Sequence, residues 1–451
     1  MRIIIVGAGL IGTNLAQALT DEGHEIYLIE SREEVARKAN EKLDAKIVVG
    51  NGADPETLRR TDPSASDLVI AVTTSDETNL VVCSLAASFG ARRCIARVRN
   101  TSLSRVVRES GYEYFHVDEI INPEQVAAQA IVKAIEAPGA REVADFASGK
   151  IMLRAVEVPE TSPLCGLRVE ELNTEDFPWP FLIIAIIRDG NVLIPKGTTL
   201  IFPKDRIYAL LPAASLGEFL SFVNPQIRKP RKIVVYGATD IGQHVAATLA
   251  PKIPEIILVE ENPDSAHEAA GLLASTRVIN GSACDLDILR ECGVEATDVF
   301  IAVTNNDHSN LVSAVLAKRM GAKSTVISTR QPDYITIVDA LGIDFIINPR
   351  YLAADQILRL VRGKGISAVM KLVDCGTEVL EFVPEEGAPV TVGPIKEIPF
   401  PKNSLVGAVC TESDVILAKG DTRIVPGSRV IVFCHGNEVK KLQSLFTRKK
   451  H

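Results

Sequence analysis

Long apolar runs are missing from this sequence. No run approaches the ~20 residues needed to cross a bilayer, and the longest, Phe181–Ile187, has the length of a buried strand. The amino end leads directly into an apolar run, without the charged leader and cleavage site of a secretory signal. We therefore expect a cytosolic protein that meets a membrane only through a partner.

Metal-ligand and catalytic spacings are missing as well. The eight cysteines include no C-x-x-C pair, so we expect them to be reduced thiols, mostly buried. The seven histidines form no pair with ligand spacing, and none accompanies a serine or cysteine in a hydrolase motif. The sequence therefore predicts no metal cluster and offers no catalytic base.

Acidic residues outnumber basic ones, with 57 Asp and Glu against 49 Lys and Arg. The formal net charge is −8, and no basic stripe with interleaved aromatic residues occurs, which argues against nucleic acid as the main partner. The composition, 46% hydrophobic and 24% charged, is that of a globular protein. A chain of 451 residues is too long for one core, so several domains are expected.

The most informative stretch present is a glycine-rich turn between an apolar run and a helix-like segment. In a dinucleotide site, the first glycine permits the tight turn, the second lets a pyrophosphate touch the backbone, and the third lets the helix lie close to the sheet. The N–H groups at the start of the helix attract phosphates. We therefore predict a cofactor-binding loop made of Gly7, Ala8, Gly9, Leu10 and Ile11, with Gly12 as the third glycine.

An acidic residue completes this pattern. Glu30 ends the next apolar run, where its carboxylate can accept hydrogen bonds from both ribose hydroxyls. It would also repel a 2′-phosphate, which favours NAD over NADP. The alternative is a purely structural turn.

The pattern occurs twice. Ile233–Gly237 repeats Ile3–Gly7, and Glu260, like Glu30, follows the last glycine of its loop by 18 residues. Residues 302–311 match residues 71–80 at six of ten positions. We therefore predict a duplicated chain with four segments: a large module over 1–137, a small one over 138–225, a large one over 231–365 and a small one over 366–451.

Short apolar runs alternate with amphipathic segments in the large modules, which predicts an α/β fold with doubly wound parallel sheets. In the first module the predicted strands are Arg2–Val6, Glu25–Ile29, Lys46–Val49, Leu68–Val72, Arg93–Val98 and Tyr114–Val117, and Pro123 opens a helix that runs to about Ile135. The small modules have a period near two, with a hairpin signal at Asp189-Gly190, which predicts α+β lobes.

This doubled arrangement resembles the TrkA family, the regulatory proteins of bacterial Trk potassium uptake systems. Besides the glycine loop with Glu30, the resemblance is carried by residues 50–58 (GNGADPETL), 71–80 (AVTTSDETNL) and 95–98 (IARV), and it covers essentially the whole chain. It implies two tandem RCK (KTN) modules, each with a Rossmann-like N-lobe and a smaller C-lobe.

The resemblance further implies binding of NAD(H) and of ATP or ADP, and assembly into a homo-oligomeric ring, a tetramer, under a TrkH- or TrkG-type channel subunit at the inner face of the membrane. Ligand state would then gate the channel. Two other functions are open from the residues alone. The chain could be an NAD-dependent dehydrogenase, or a generic small-ligand sensor whose C-lobes bind an anion or a metabolite.

Other polar residues of the first module lie where ligands are expected, outside the carboxyl ends of the strands. Thr73 and Thr74 can offer a backbone N–H and a hydroxyl to a ribose or phosphate, or Ser75 or Asp76 can simply cap the next helix. Asn51 could read the adenine edge or form a turn.

One basic residue of the first module is also a candidate. Arg97 could pair with phosphates or with Glu30, or it could be a surface cation; Arg99 on the same face competes with it.

Two equivalent acidic positions, Asp76 and Asp307, stand beside Asn79 and Asn310. They could hold a divalent ion with the nucleotide phosphates. Helix capping is the alternative and the one we favour.

The second loop departs from the fingerprint. Thr239 replaces the glycine that a pyrophosphate must approach, and Asp240 adds a negative charge that costs ~1 kcal/mol or more if it is partly buried. One register aligns Arg97 with Thr329, next to Arg330. The second module therefore binds a nucleotide weakly or in another pose, or is only structural. Its candidate ligand residues are Gly237, Ala238, Thr239, Ile241, Glu260 and Thr304.

Overall fold

A computed structural model describes residues 1–109, 114–137, 140–172, 179–226, 228–331, 333–334, 341–361, 366–372, 377–401, 404–412, 414–435 and 438–448. The chain forms two compact units. One contains Met1–Val132 and Arg231–Leu358, and the other contains Lys133–Pro230 and Arg359–His451. The two large modules therefore share one unit, and the two small modules share the other. None of the described helices is both long and apolar enough to cross a membrane.

The first large module is a parallel sheet with helices between its strands. Its strands are β1 (Arg2–Val6), β2 (Glu25–Glu30), β3 (Lys46–Val49), β4 (Leu68–Ala71), β5 (Cys94–Arg97) and β6 (Glu119–Ile121). Its helices are α1 (Leu10–Asp21), α2 (Glu33–Lys42), α3 (Pro55–Arg59), α4 (Asp76–Ser88), α5 (Thr101–Glu109) and α6 (Pro123–Glu136). The strand order is β3-β2-β1-β4-β5-β6.

The central strand explains both the pattern and the site. Ile3, Ile4 and Ile5 are all fully buried, because β1 is covered on both faces of the sheet. β1 pairs in parallel with β2 on one side and with β4 on the other. The winding of the sheet therefore reverses at β1, and in folds of this type ligands bind beyond the carboxyl ends of the strands at that point.

The first small module is antiparallel. It contains β7 (Ala140–Phe146), β8 (Ile151–Glu157), β9 (Leu182–Arg188), β10 (Asn191–Leu193), β11 (Arg206–Pro212) and α7 (Leu216–Val223), with the strand order β10-β9-β11-β8-β7. The predicted hairpin is confirmed. Asp189 and Gly190 have φ values of 50° and 75° between the paired β9 and β10, as a two-residue hairpin turn requires.

The second large module repeats the first. Its elements are β12 (Lys232–Tyr236), α8 (Asp240–Leu249), β13 (Glu255–Glu260), α9 (Pro263–Leu272), β14 (Arg277–Asn280), α10 (Leu286–Glu291), β15 (Val299–Ala302), α11 (Asp307–Met320), β16 (Ser324–Ser328), β17 (Phe345–Ile347) and α12 (Pro349–Val361). The strand order, β14-β13-β12-β15-β16-β17, is that of the first sheet. The predicted doubling of a doubly wound fold is confirmed.

The second small module contains β18 (Ile366–Leu372), β19 (Thr377–Phe382), β20 (Ser404–Cys410), β21 (Val415–Leu417), β22 (Arg429–His435) and α13 (Val439–Phe446). Its sheet has the order β18-β19-β22-β20-β21. The two small sheets share a core, in which Ile184 and Tyr208 of the first lie with Ile431 and Phe433 of the second. Lys150 also donates to the Glu412 carbonyl at 2.6 Å. Each small sheet thus buries an apolar face against the other.

One predicted strand is wrong. Residues 114–116 form a turn with His116 at a φ of 51°, and the sixth strand is β6, which pairs with β5. Phe115 and Val117 nevertheless pack on the module's core. A short apolar run indicates that its residues are buried, but burial alone does not distinguish a strand from a turn that faces the core. The other five predicted strands of this sheet are confirmed to within one residue at each end.

Candidate functional site

Two glycines of the first loop serve the backbone. Gly7 leaves β1 with a φ of +106°, a left-handed value that favours glycine, and its N–H donates to the Ile29 carbonyl at 2.8 Å. A methyl group on Gly12 would lie 1.9 Å from the Gly7 carbonyl oxygen, so helix α1 rests directly on the turn. Both glycines are therefore needed to build the loop, whatever binds there.

Gly9, the remaining glycine of the loop, faces the surface above the loop. Gly9 is the N-cap of α1, and a Cβ added to it would meet no heavy atom within 4 Å. No side chain in the described part of the chain caps this helix, and its first turn carries no acidic residue. The first N–H groups of a helix lack intrahelical partners. Those at Leu10 and Ile11 therefore remain for an anion.

Glu30 is bound to the loop. Its side chain is 6% exposed, its Oε2 accepts from the Ala8 N–H at 2.9 Å, and its Oε1 accepts from the N–H of Arg32 at 3.0 Å. Burial raises the pKa of Glu30, but the hydrogen bonds from the Arg32 and Ala8 backbone outweigh it, so the pKa lies below its ordinary value. The carboxylate is ionised at neutral pH, and Oε2, with one protein partner, has the spare lone pair for a ribose hydroxyl.

Thr73 does not turn its donors toward a ligand. Its N–H and its hydroxyl both donate to the Oδ1 of Asn79, at 2.9 and 2.7 Å. The fully buried Asn79 amide also donates to the Arg97 carbonyl at 2.8 Å, so it ties the end of β4 to the end of β5. The donors of Thr73 are therefore used within the protein and are not free as expected. Thr74 is exposed, and its contact with a ligand stays a prediction, while Ser75 caps α4 through the Thr78 N–H.

Arg97 lies at the end of β5 with only 9% of its side chain exposed. It donates to the Thr73 carbonyl at 3.0 Å, and its Nε has no hydrogen-bond partner. Burial lowers the pKa of Arg97, and the neighbouring charge of Arg99 lowers it further. The predicted pairing with Glu30 is not seen, because Glu30 pairs with Arg32. A buried guanidinium with an unpartnered N–H is suited to an incoming phosphate.

The capping role favoured for Asp76 is wrong. Its Oδ2 accepts from the N–H groups of Arg99 and Asn100 at 2.9 and 2.8 Å, which anchors the loop after β5. Asp307 does the same in the second module through the Arg330 N–H at 2.9 Å. No cluster of three His, Cys, Asp or Glu within the described ranges could hold a metal ion.

Asn51 forms a turn. Its Oδ1 accepts from the Ala53 N–H at 3.0 Å, so one lone pair of Oδ1 and the NH₂ group remain for an adenine edge. The organising role of Asn79 is absent from the sequence-based site. Its recurrence as Asn310 within the same ten-residue motif is the signal that could have indicated it.

The second loop has the same backbone but a covered helix start. Gly237 has a φ of +109°, and the Ala238 N–H donates to the Oε2 of Glu260 at 2.7 Å. The Thr239 hydroxyl accepts from the Gly242 N–H at 3.3 Å and donates to the Val303 carbonyl at 2.8 Å. The Thr239 side chain therefore occupies the space that is empty above Gly9 in the first loop.

Two further expectations for this module change. Thr304 donates its N–H and hydroxyl to Asn310, as Thr73 does to Asn79, so its donors are used internally. The Asn310 amide donates to the Ser328 carbonyl at 2.9 Å, which makes Ser328 the counterpart of Arg97. The predicted alignment of Arg97 with Thr329 is one residue off. The Ile241 side chain is buried, as that of Ile11 is, so burial does not change the prediction for its backbone N–H.

Comparison with protein families gives two matches. The TrkA-N domain matches residues 3–123 and 233–349, and the TrkA-C domain matches residues 153–224. The Trk system potassium uptake protein TrkA of Vibrio alginolyticus is 31% identical over 455 residues, which cover 99% of this chain and 98% of that protein. The protein of the same name from Azorhizobium caulinodans is 30% identical over 452 residues, with 99% and 98% covered.

Solved structures share the fold at lower identity. A GsuK channel bound to NAD has a TM-score of 0.62 and 18% identity, covering 99% of this chain and 78% of that one. A second GsuK channel structure has a TM-score of 0.64, also at 18% identity, covering 98% and 78%. These structures therefore share the fold of this chain.

Proposed function

The chain belongs to the TrkA family, and from this premise we propose that it is a regulatory, non-enzymatic component of a Trk-type potassium uptake system. Its first large module binds NAD(H) or the adenine nucleotides ATP and ADP. The bound nucleotide changes the arrangement of the RCK modules, and this change gates a TrkH- or TrkG-type channel subunit in the membrane.

The bare start of helix α1 is the observation that carries this function. An open loop at Gly9, without a capping side chain, presents unpaired N–H groups where the winding of the sheet reverses. A helix start stabilises a nearby negative charge by ~0.3–1 kcal/mol at exposed sites and by up to ~2 kcal/mol when partly buried. Hydrogen bonds to a charged group add ~1.5–3 kcal/mol each.

The remaining residues distribute around the ligand. In the proposed site the phosphates lie over Gly9 and the N–H groups of Leu10 and Ile11, and Arg97 supplies a buried positive charge. Glu30 binds a ribose hydroxyl through Oε2, and the exposed Thr74 lies beyond the end of β4. Because Glu30 is ionised, it disfavours a 2′-phosphate at the same place.

Gating follows from differential binding. A nucleotide shifts an equilibrium between two assemblies only by its difference in affinity for them. A tenfold preference corresponds to ~1.4 kcal/mol per site, and several sites in a homo-oligomeric ring add to one another. In the proposed scheme NADH and ATP favour the open arrangement, NAD and ADP favour the closed one, and the ring is a tetramer at the inner face of the membrane.

Substitution of Gly9 by valine tests the site directly. Because a Cβ at Gly9 meets no protein atom within 4 Å, Gly9→Val should fold normally while its side chain blocks the pyrophosphate. We expect calorimetric titration with NADH, ATP and ADP to show at least ~100-fold weaker binding, which is a loss of ~2.7 kcal/mol. Gly271→Val on α9, where the surroundings are equally open, is the matched control.

Wild-type affinity in Gly9→Val, or no affinity of the unmodified protein for any of these nucleotides, would rule out the proposed site. Co-purification with a membrane potassium transporter tests the partner. Sustained oxidation of NADH with a small carbonyl substrate would instead indicate a dehydrogenase, and a thermal shift caused by anions or metabolites in Gly9→Val would indicate a sensor that uses the small modules.

A further inference from the structure

In the second large module a protein side chain, that of Thr239, caps the start of α8. The Thr239 hydroxyl accepts from the Gly242 N–H and lies between the loop and the Val303 carbonyl. The Gln243 amide also donates to the Ala238 carbonyl at 2.8 Å. The first module has a glycine at the position of Thr239 and no capping side chain, so the two helix starts differ in what occupies them.

The second closure lies where the base of a nucleotide would be expected. The buried Tyr236, at the end of β12, donates its hydroxyl to the Glu261 carboxylate and lies 3.3 Å from the Ser282 hydroxyl. Ser282 also donates to Glu261 at 2.6 Å. Ser282 is the first residue beyond Gly281, as Asn51 is beyond Gly50, so the counterpart of the expected adenine reader is tied into a network of protein side chains.

This network is stable as it stands. Burial raises the pKa of Tyr236, and its hydrogen bond to Glu261 raises it further, so the phenol stays protonated and keeps donating. The hydrogen bonds from Ser282 and Tyr236 lower the pKa of Glu261, so that carboxylate stays ionised and keeps accepting. In the first module, Val6 stands at the position of Tyr236 and cannot make such a bond.

The charged residues of the two modules also make the second one less suited to bind phosphate. Asp240 lies in the first turn of α8, where α1 has no acidic residue, and it would repel a phosphate. Ser328 occupies the position at which the first module has the buried Arg97. The second module therefore has one more negative charge at its helix start and lacks the positive charge that Arg97 places at the end of β5.

We propose that the second large module takes no nucleotide. The Thr239 side chain stands where the first loop has open space for the pyrophosphate, Asp240 repels phosphates at the start of α8, and the Tyr236–Glu261–Ser282 network holds the counterpart of the expected adenine reader. Each chain then holds a single nucleotide, in its first large module. This inference rests on the proposed function. Under this proposal the nucleotide changes only the first module of each chain, and the second module keeps one conformation. A ring of these chains therefore alternates modules that respond to nucleotide with modules that do not.

Stoichiometry tests the inference. Calorimetric titration of the full-length protein with NADH, and separately with ADP, should give one equivalent per chain. Gly9→Thr copies the second loop into the first, where the added side chain has open space, and it should abolish all binding. Two equivalents in the wild type, or one equivalent remaining in Gly9→Thr, would overturn the closed second module. A wild type that binds none would instead overturn the proposed function.

The reverse exchange tests whether these side chains are the cause. A variant with Thr239→Gly, Asp240→Leu, Tyr236→Val and Ser328→Arg carries the first module's residues and should gain a second equivalent. Tyr236→Val leaves a cavity in the core, so the double variant Thr239→Gly, Asp240→Leu is titrated in parallel and should show a second, weaker site. Thr239→Val, which keeps the bulk, is the matched control and should stay at one equivalent. Folded exchange variants that both remain at one equivalent would overturn the assignment.

Discussion

The two glycine loops of this chain have nearly the same backbone conformation but differ in the side chains above them. Gly7 and Gly237 have φ values of +106° and +109°. A methyl group on Gly12 or Gly242 would come within 1.9 or 2.0 Å of the carbonyl oxygen of the first glycine in its own loop. The features that place a helix against a parallel sheet are therefore retained in both copies.

The difference is confined to positions that the fold does not need. Gly9 has no neighbour above it and is not forced into left-handed backbone, so nothing in the first module itself requires glycine there. Thr239 at the equivalent position caps its helix, which relative to a glycine cap is worth only a few tenths of a kcal/mol in general. The comparison teaches that glycines needed for backbone geometry, such as Gly7 and Gly12, indicate the fold. A glycine that the backbone does not need, such as Gly9, indicates a surface kept free for a ligand.

The largest expected effect removes what the loops share. Gly12→Ala and Gly242→Ala each place a methyl group against a backbone carbonyl that cannot move without shifting the helix. We expect either variant to lose ~4 kcal/mol or more of stability, measured as a fall in the thermal unfolding midpoint and in soluble yield. Equal losses of stability in the two variants would support a shared backbone requirement. A Gly242→Ala variant as stable as the wild type would show that the two loops do not share it.

A smaller effect should separate the modules by their ligand response. Asn79→Ala and Asn310→Ala each delete a buried amide that holds four hydrogen bonds across two strand ends. We expect each to destabilise the protein by ~3 kcal/mol, because buried donors and acceptors lose their partners. Denaturant unfolding measures this loss.

Only Asn79→Ala should also alter NADH affinity at a temperature where both variants are folded, because it releases the end of β5 and the donors of Thr73 beside the proposed site. An unchanged affinity in Asn79→Ala, or a changed one in Asn310→Ala, would contradict the difference between the modules.

The smallest effect concerns the acid of the first module. Glu30→Gln loses one of the acceptors for the Ala8 and Arg32 N–H groups, which should cost ~1–2 kcal/mol at neutral pH. The pKa of Glu30 is lowered in the folded state, so the carboxylate contributes fully above its ordinary value of 4.5, and the contribution is lost as pH falls through the lowered pKa. The gap in unfolding midpoint between wild type and Glu30→Gln should therefore narrow below pH 4.5.

Glu260→Gln serves as the reference in the second module, where the carboxylate also accepts two backbone N–H bonds, from Ala238 and Asn262. It should destabilise the protein by a similar amount without changing NADH affinity. A gap for Glu30→Gln that widens in acid would show that the carboxylate is not held ionised by the loop.

Much of the fold was predictable from local patterns. Fully buried parallel strands read as continuous apolar runs, so five strands of the first sheet are predicted to within one residue at each end, and the second sheet follows by repetition. The hairpin at Asp189-Gly190 follows from the backbone angles that such a turn requires. The turn over 114–116 was not predictable, because its apolar residues face the core as a strand's would.

The partners of side chains were less predictable. Thr73 stands where a ligand contact is expected, yet Asn79, six residues on, takes both of its donors. Asp76 stands at a capping position, yet its carboxylate binds the backbone of the loop after the neighbouring strand. Hydrogen-bond partners are chosen by proximity in space among several polar groups, and the linear sequence does not rank them.

The amino-acid sequence by itself determined the doubled α/β architecture and the place of the glycine loops, because hydrophobic periodicity and backbone angles are properties of neighbouring residues. Only the tertiary structure showed what the side chains around each loop contact. The open space above Gly9, the hydrogen bond from Thr239 to the Val303 carbonyl and the burial of Arg97 depend on distances between strands far apart in the chain.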